Sequence, residues 1–145
     1  MISFNGEYRW LSNFYIEPDG SCVECEYQAE KHHGFPWRQI TIMRCKPGHA
    51  KKLGRRWKLN PYPQMEWDNR KIIVMRNLLR RKLYDHPAVF VALVSTNDEE
   101  LVETNNWHDN FWGNCTCLRC FRTGENHLGK LWMQLRDEIS ATEPQ

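Results

Sequence analysis

The sequence lacks any long hydrophobic run. No apolar stretch among its 145 residues approaches the roughly 18 residues that a membrane-spanning helix requires. The opening residues, MISFNGEYRW, also lack the basic segment and the apolar segment of a secretory signal. We therefore expect a soluble, cytoplasmic protein with no membrane partner.

The sequence also has little net charge. Its 20 basic and 18 acidic residues give a formal charge of +2, which is too small for a protein that binds polyanions with its whole surface. Affinity for nucleic acid would have to come from a local patch, and the basic tracts at 50–58 and 76–82 could supply one. A basic helix face is most often simply solvated, so these tracts permit such a partner without requiring it.

Internal repeats and low-complexity segments are absent as well. A chain of 145 residues with 41% hydrophobic residues suits one domain with its own core. We expect a single domain over residues 1–145, with its core at about 4–139 and a frayed tail at 140–145.

What is present is mostly helical periodicity. The strongest signal covers 65–83, where four apolar residues recur at helical spacing, namely Ile72, Met75, Leu79 and Leu83. Further helices are expected from Glu24 to the breakers Gly34 and Pro36, over 48–57 and over 126–139. The segment 86–96 suits a buried helix or strand. A short strand or hairpin is expected near the N-terminus, and a brief strand or turn at 99–105. The predicted fold class is α+β, predominantly helical with a few short strands.

The six cysteines are unevenly placed. Without an export signal they should remain thiols, which argues against a disulfide framework. Cys115, Cys117 and Cys120 form a CxCxxC cluster in a polar loop, and thiolates suit a structural zinc ion. Three ligands are one short of a tetrahedral set, so buried or free thiols are the simpler interpretation. For the CxxC of Cys22 and Cys25 a zinc knuckle would need a second pair at comparable spacing, and the cysteine trio has a different register and lies about ninety residues further on.

One predicted helix face carries unusual polar groups. Glu24, Gln28 and Lys31 stand at positions i, i+4 and i+7, so a helix would align a carboxylate, an amide and an amine across two turns. Such a row suits either an exposed face with a Glu and Lys pair or one wall of a catalytic site. Spacing alone favours the exposed face.

Three other segments place polar groups among aromatic residues. Asn13 lies within LSNFY, between Leu11 and Phe14. Asp109 stands between Trp107 and Trp112, and such a pair of indoles around a carboxylate could bind a flat heterocycle. The sequence GENHLG, with Asn126, suits a helix entry at which a phosphate can bind. The Asp109 segment is equally compatible with an aromatic loop packed on the core, and a lone loop of the GENHLG kind is a weak signal.

Taken in order, the segments LSNFY, VECEYQAEK, HAKKLGR, EWDNRK, RRKLYDHP, LVSTNDEELVE, DNFWGN and GENHLGKLWMQLR closely resemble the NADAR family, also called the YbiA-like domain. The resemblance runs from about Phe4 to Arg136. It implies a catalytic role for Glu24 and for Lys31 of the QAxK motif. It also implies that the substrate contacts Asn13, Phe14, Trp67, Asp109, Trp112, Gly113 and Asn126. The polar row on the helix adds Gln28 to the candidate substrate contacts, and the aromatic slot adds Trp107. The sequence NCTCLRCFRT after Gly113 departs from the plainest family pattern, because it is longer and richer in cysteine.

The resemblance implies an N-glycosidase that acts on ribose derivatives and needs no catalytic cofactor. The first expectation is the removal of ADP-ribose from guanine in DNA or RNA, which would reverse a toxin or defence modification. The second is the cleavage of phosphorylated intermediates of riboflavin synthesis. A binding module for ADP-ribose or a related nucleotide, and a zinc-stabilised nucleic-acid adaptor that uses the CxCxxC loop, are the alternatives. Cations for a pyrophosphate would come from Lys51, Arg55, Lys71 or Arg122.

Overall fold

The computed structural model describes residues 1–121 and 123–142. Arg122 and residues 143–145 of the expected tail lie outside the described residues. About 59% of the structure is helical, with a few short strands, which confirms the predicted fold class. No helix in the described ranges is both long enough and apolar enough to span a membrane.

The described residues form six α-helices, a 3₁₀ helix at Gly6–Leu11 and four two-residue strands. The helices are α1 Val23–Lys31, α2 Pro36–Met43, α3 Pro47–Arg56, α4 Pro61–Asp85, α5 Pro87–Ser95 and α6 His127–Thr142. The strands are β1 Ile2–Ser3, β2 Leu101–Val102, β3 Thr104–Asn105 and β4 Asn114–Cys115.

Proline begins four consecutive helices, α2 to α5. Its fixed φ angle suits the first helical position, where the missing N–H would have no partner within the helix. The sequence predicts α1, α3, α4 and α6, and α5 resolves the ambiguity at 86–96 in favour of a helix. Helix α2 was not predicted, because Pro36 was interpreted only as the end of α1. It begins the next helix as well.

The first compact unit covers Asn13–Leu79 and contains α1, α2, α3 and most of α4. Its core joins small and branched side chains of α1, α2 and α3 with Trp57 and Cys45 at the margin; the buried members are Cys22, Cys25, Ala29, Ile42, Ala50 and Leu53. The CxxC thiols are therefore packing groups. Of the stripe predicted on α4, Met75 and Leu79 are buried here, whereas Ile72 is 38% exposed.

The second unit combines Met1–Ser12 with the chain from Arg80 onward. Strand β1 pairs in parallel with β2, and β3 pairs in parallel with β4, so of the short strand or hairpin expected at the N-terminus the structure has the strand and not the hairpin. Helix α6 buries an apolar stripe that includes Leu128, Trp132 and Leu135. The Trp132 indole donates to the carbonyl of Leu11 at 3.0 Å. A long-range hydrogen bond thereby ties α6 to the 3₁₀ helix.

Helix α6 continues to Thr142, beyond the expected end of the core at 139. The six cysteines are free thiols. A single domain over residues 1–145 remains a prediction.

Candidate active site

Helix α1 carries a buried carboxylate and a buried amide in direct contact. The side-chain N–H of Gln28 donates to Glu24 Oε1 at 2.9 Å, and both residues are less than 8% exposed. The i, i+4 spacing on a helix makes this contact. Glu24 lies in the first turn of α1, where the positive end of the helix dipole stabilises a carboxylate. The polar row that spacing alone assigned to solvent is therefore buried at these two positions.

Lys31, at the end of the same helix, is half-buried. Its Nζ donates to the carbonyl of Gly54 at 3.1 Å. Burial lowers the pKa of Lys31 below its ordinary value, and the positive charges of Lys58, Lys71 and Arg55 reinforce this shift against the opposing effect of Asp68. A lysine with a lowered pKa has a larger neutral fraction at neutral pH, and only the neutral amine is a nucleophile.

Gly54 on α3 is a site residue that the sequence interpretation missed. A Cβ atom there would lie 1.9 Å from Gln28 Oε1 and 2.6 Å from Gln28 Cδ. Only glycine leaves room for the amide of Gln28, and the Gly54 carbonyl also binds Lys31. The signal was present, because an isolated glycine inside a helical pattern often marks close packing or a functional contact.

Asn13 supports the start of α1. Its carbonyl accepts the N–H of Glu24 at 3.0 Å and the thiol of Cys22 at 3.1 Å. Its side-chain N–H contacts the sulfur of Met75 at 3.5 Å. The side-chain oxygens of Asn13 and Gln28 are buried and have no hydrogen-bond partner among the described residues. Such oxygens are uncommon in folded proteins, and a ligand or water is their usual partner.

The two aromatic residues predicted in this unit differ in their surroundings. The ring of Phe14 lies 5.5 Å from Lys51 Nζ, a cation–π distance. Trp67 is only 3% exposed and packs against Tyr27 at 5.0 Å between ring centroids. Trp67 therefore contributes to the core, and little of its ring surface is accessible to a substrate.

In the second unit, Asp109 organises its own loop. Its Oδ1 accepts the N–H groups of Phe111 at 3.2 Å and Trp112 at 3.0 Å. Trp112 packs edge-on against Phe111 at 4.8 Å between centroids, whereas Trp107 is 44% exposed. The tryptophan pair expected to bind a heterocycle thus consists of one exposed indole and one that is partly covered by its neighbour.

Gly113 and Asn126 secure the strands of this unit. A Cβ atom on Gly113 would lie 1.9 Å from Glu103 Oε2 and 2.2 Å from the Glu103 carbonyl, so no larger residue fits. The side chain of Asn126 accepts the N–H of Glu103 at 3.0 Å and donates to the carbonyl of Leu101 at 2.9 Å. With these bonds Asn126 extends the strand pairing. The role of Gly113 and Asn126 in substrate binding remains a prediction.

Four potential metal ligands also meet in this unit. One nitrogen of His108 and the sulfurs of Cys115, Cys117 and Cys120 lie within 4.8 Å of one another. The cysteine trio was recognised from its spacing, but His108 was not, because it precedes the motif by seven residues. The group could hold a metal ion.

The predicted pyrophosphate cations have different surroundings. Lys51 lies near Phe14, and Lys71 forms an ion pair with Asp68 at 3.4 Å. Arg55 is exposed at the end of α3. Arg122 lies outside the described residues.

The chain is similar to known proteins over most of its length. The family model described as the NADAR domain matches residues 4–140. An N-glycosidase of Nostoc punctiforme is 35% identical over 120 residues, which cover 81% of this chain and 72% of that protein. The N-glycosidase YbiA of Escherichia coli is 30% identical over 144 residues, or 95% of this chain and 86% of YbiA.

A plant relative and a solved structure extend the comparison. The chloroplastic riboflavin biosynthesis protein PYRR of Zea mays is 35% identical over 84% of this chain, which spans only 20% of the maize protein. The NMR structure of Escherichia coli YbiA matches with a TM-score of 0.78 and 28% identity, covering 99% of this chain and 89% of YbiA. The chain therefore belongs to the NADAR domain family.

Proposed function

We propose that this protein is an N-glycosidase that hydrolyses the bond between ribose and a base nitrogen, and that its substrate is ADP-ribose attached to guanine in nucleic acid. The relatives named N-glycosidase support the reaction class. The observation that carries the mechanism is the group on α1, where a buried carboxylate and a lysine with a lowered pKa lie on either side of Gln28.

Glu24 fits the first requirement of glycosidic cleavage. Positive charge develops on the anomeric carbon as the C–N bond breaks, and a buried carboxylate stabilises that charge more strongly than one in water. The hydrogen bond from Gln28 at 2.9 Å fixes the orientation of this carboxylate. Glu24 can also activate the attacking water or deliver a proton to the departing nitrogen.

Lys31 offers a covalent route for a sugar on an exocyclic base nitrogen. The ribose ring opens to an imine at C1, and the neutral amine of Lys31 adds to that carbon. The base then leaves as its free amine after gaining a proton, and C1 remains joined to Lys31 as a Schiff base. One water molecule hydrolyses the Schiff base, which releases the sugar aldehyde and restores the lysine. The net reaction consumes one water.

Two buried acceptors support a polar ligand near α1. The oxygens of Asn13 and Gln28 that have no partner among the described residues suit the hydroxyl groups of a ribose, because each hydroxyl can donate one hydrogen bond. The nearby Lys51 suits the phosphates of ADP-ribose. These assignments follow from the donor and acceptor chemistry of the side chains.

The decisive experiment uses DNA that carries ADP-ribose on guanine. Wild-type protein should release the sugar, and Glu24→Gln should reduce turnover by about 10²- to 10⁴-fold while it still binds the substrate. Glu30→Gln is the matched control, because Glu30 is an exposed glutamate on the same helix and its ion pair with Arg70 is long at 3.8 Å. Equal loss in both variants, or no release by wild type, would reject the proposal.

Reduction with borohydride tests the covalent route. If the Schiff base forms, wild type incubated with substrate and reductant gains the mass of a reduced sugar adduct on Lys31. If active enzyme never gains this mass, Lys31 acts only through its charge or position.

A second candidate is the hydrolysis of phosphorylated riboflavin intermediates, and the name of the maize relative favours it. Ionic strength separates the two substrates. Turnover of a DNA-linked substrate should fall steeply with added salt, because binding DNA releases counterions. Turnover of a free intermediate should fall little. Tight binding without turnover of either substrate would favour a binding module.

A further inference from the structure

We propose that His108, Cys115, Cys117 and Cys120 form a structural zinc site. The Nδ1 atom of His108 lies 3.4 Å from Cys120 Sγ, 3.5 Å from Cys117 Sγ and 3.8 Å from Cys115 Sγ. Tetrahedral zinc with usual Zn–S and Zn–N lengths would hold each sulfur about 3.6 Å from the nitrogen. The observed distances lie on both sides of this value.

The backbone brings the three thiols together from two elements. Cys115 belongs to β4, and its N–H donates to Asn110 Oδ1 at 2.9 Å. Cys117 and Cys120 are joined by a turn, in which the N–H of Cys120 donates to the carbonyl of Cys117 at 3.2 Å. A CxxC turn next to a strand is a common arrangement for two thiolates of a structural zinc site.

His108 is held in a conformation that costs energy. Its φ angle is +67°, in the left-handed region that residues other than glycine rarely adopt. Asn105 fixes this conformation from both sides, because its Oδ1 accepts the N–H groups of Trp107 at 3.2 Å and Asp109 at 3.0 Å. Backbone strain of this kind tends to persist at functional positions. The left-handed conformation at His108 directs its exposed side chain toward the three sulfurs.

The ligand set selects both the metal and its role. Thiolates and an imidazole suit zinc, whereas magnesium and calcium require oxygen ligands. Four protein ligands complete a tetrahedron and leave no open position, which is the pattern of a structural and not a catalytic ion. A disulfide would join only two of the three thiols and would leave the third thiol and His108 without a role.

The location of the site suggests what the ion does. It connects residue 108 to residues 115–120, and the chain between these points contains Asp109, Trp112 and Gly113. Zinc would close this segment into a loop held at both ends. The proposal does not depend on the glycosidase chemistry, and metal content tests it separately.

The first experiment measures metal in the whole chain, purified under reducing conditions without chelators. We expect about one zinc per chain, released when the thiols are blocked with a mercurial. Cys117→Ser and His108→Asn should each reduce bound zinc. Cys45→Ser is the matched control, because Cys45 is also half-buried but lies outside the cluster, and it should retain the ion.

The second experiment replaces zinc with cobalt(II) in the wild-type chain, so it does not depend on any variant folding. A tetrahedral site with three thiolates should give strong sulfur-to-metal charge-transfer absorption and intense visible bands. A wild-type chain that contains no zinc and gives no such spectrum would overturn the proposal. Equal loss of zinc in Cys45→Ser and Cys117→Ser would do the same.

Discussion

The polar side chains of α1 and the loop at 105–126 are held in place in opposite ways. The α1 group depends on one helix, whose regular spacing aligns Glu24 with Gln28, and on close packing against Gly54. Among its described residues the loop has the two short strands β3 and β4, and side chains such as Asp109 and Asn126 bind backbone groups to hold it together. The comparison teaches that helical repeat can bring two polar side chains into contact, whereas an irregular segment needs a separate polar support at each turn.

Of the changes that test this comparison, removal of the Lys31 amine should have the largest effect on turnover. Lys31→Met removes the amine but keeps an unbranched side chain that is one atom shorter, and it should lower turnover by about 10²- to 10⁴-fold. We expect little loss of fold, because the lost contact is the hydrogen bond from the amine to the Gly54 carbonyl. Lys52→Met, an exposed change on α3, should leave turnover unchanged. Steady-state kinetics with ADP-ribosylated DNA measure both. Near-normal turnover of Lys31→Met would remove the amine from the mechanism.

Gly54→Ala should separate activity from stability in the α1 group. The added methyl group displaces the Gln28 amide that orients Glu24, and a misplacement of this size can cost up to about 100-fold in rate. The effect on the free energy of unfolding should be smaller than the effect on the rate. Overpacking costs about 1–3 kcal/mol, and a gain in helix propensity of about 1 kcal/mol partly offsets this cost.

Gly48→Ala on the same helix is the control for this change. A Cβ atom there meets nothing within 4 Å, so turnover should be unchanged and stability should rise slightly or stay constant. Kinetics and thermal unfolding of both variants complete the test. If the two variants behave alike, the close approach of Gly54 to Gln28 has no functional consequence.

Asn126→Gly should test the polar support of the loop region. It removes the hydrogen bonds to Glu103 and Leu101, but glycine readily adopts the φ angle of +54° found at this position. We expect a loss of about 1–3 kcal/mol in the free energy of unfolding, because a buried donor and acceptor lose their partner. Asn106→Gly, at an exposed position, should cost less than 1 kcal/mol. Urea unfolding distinguishes the two results.

The pH dependence of Schiff-base trapping should give the smallest effect. Because burial lowers the pKa of Lys31, its neutral fraction increases as pH rises through a value below that of an ordinary lysine, about 10.4. The yield of trapped adduct should rise over the same range and level off above it. Mass spectrometry at a series of pH values measures the midpoint. A midpoint at the ordinary lysine value would contradict the pKa shift.

Local sequence patterns were sufficient for much of the fold. Periodicity predicted α1, α3, α4 and α6, because the signal for an amphipathic helix lies within a few neighbouring residues. It failed for α2, where Pro36 both follows one helix and begins another. It also failed for the pairing of β1 with β2, because strand partners about a hundred residues apart leave no local pattern.

The sequence by itself determined the α1 row and the cysteine trio, since both depend on spacing within one short segment. Only the tertiary structure brought Gly54 to Gln28 and Lys31, added His108 to the three thiols and buried Trp67 against Tyr27. The physical reason is the distance along the chain over which each kind of interaction acts. Helical repeat and turn chemistry act over a few residues, whereas contacts between distant segments depend on the path of the whole chain.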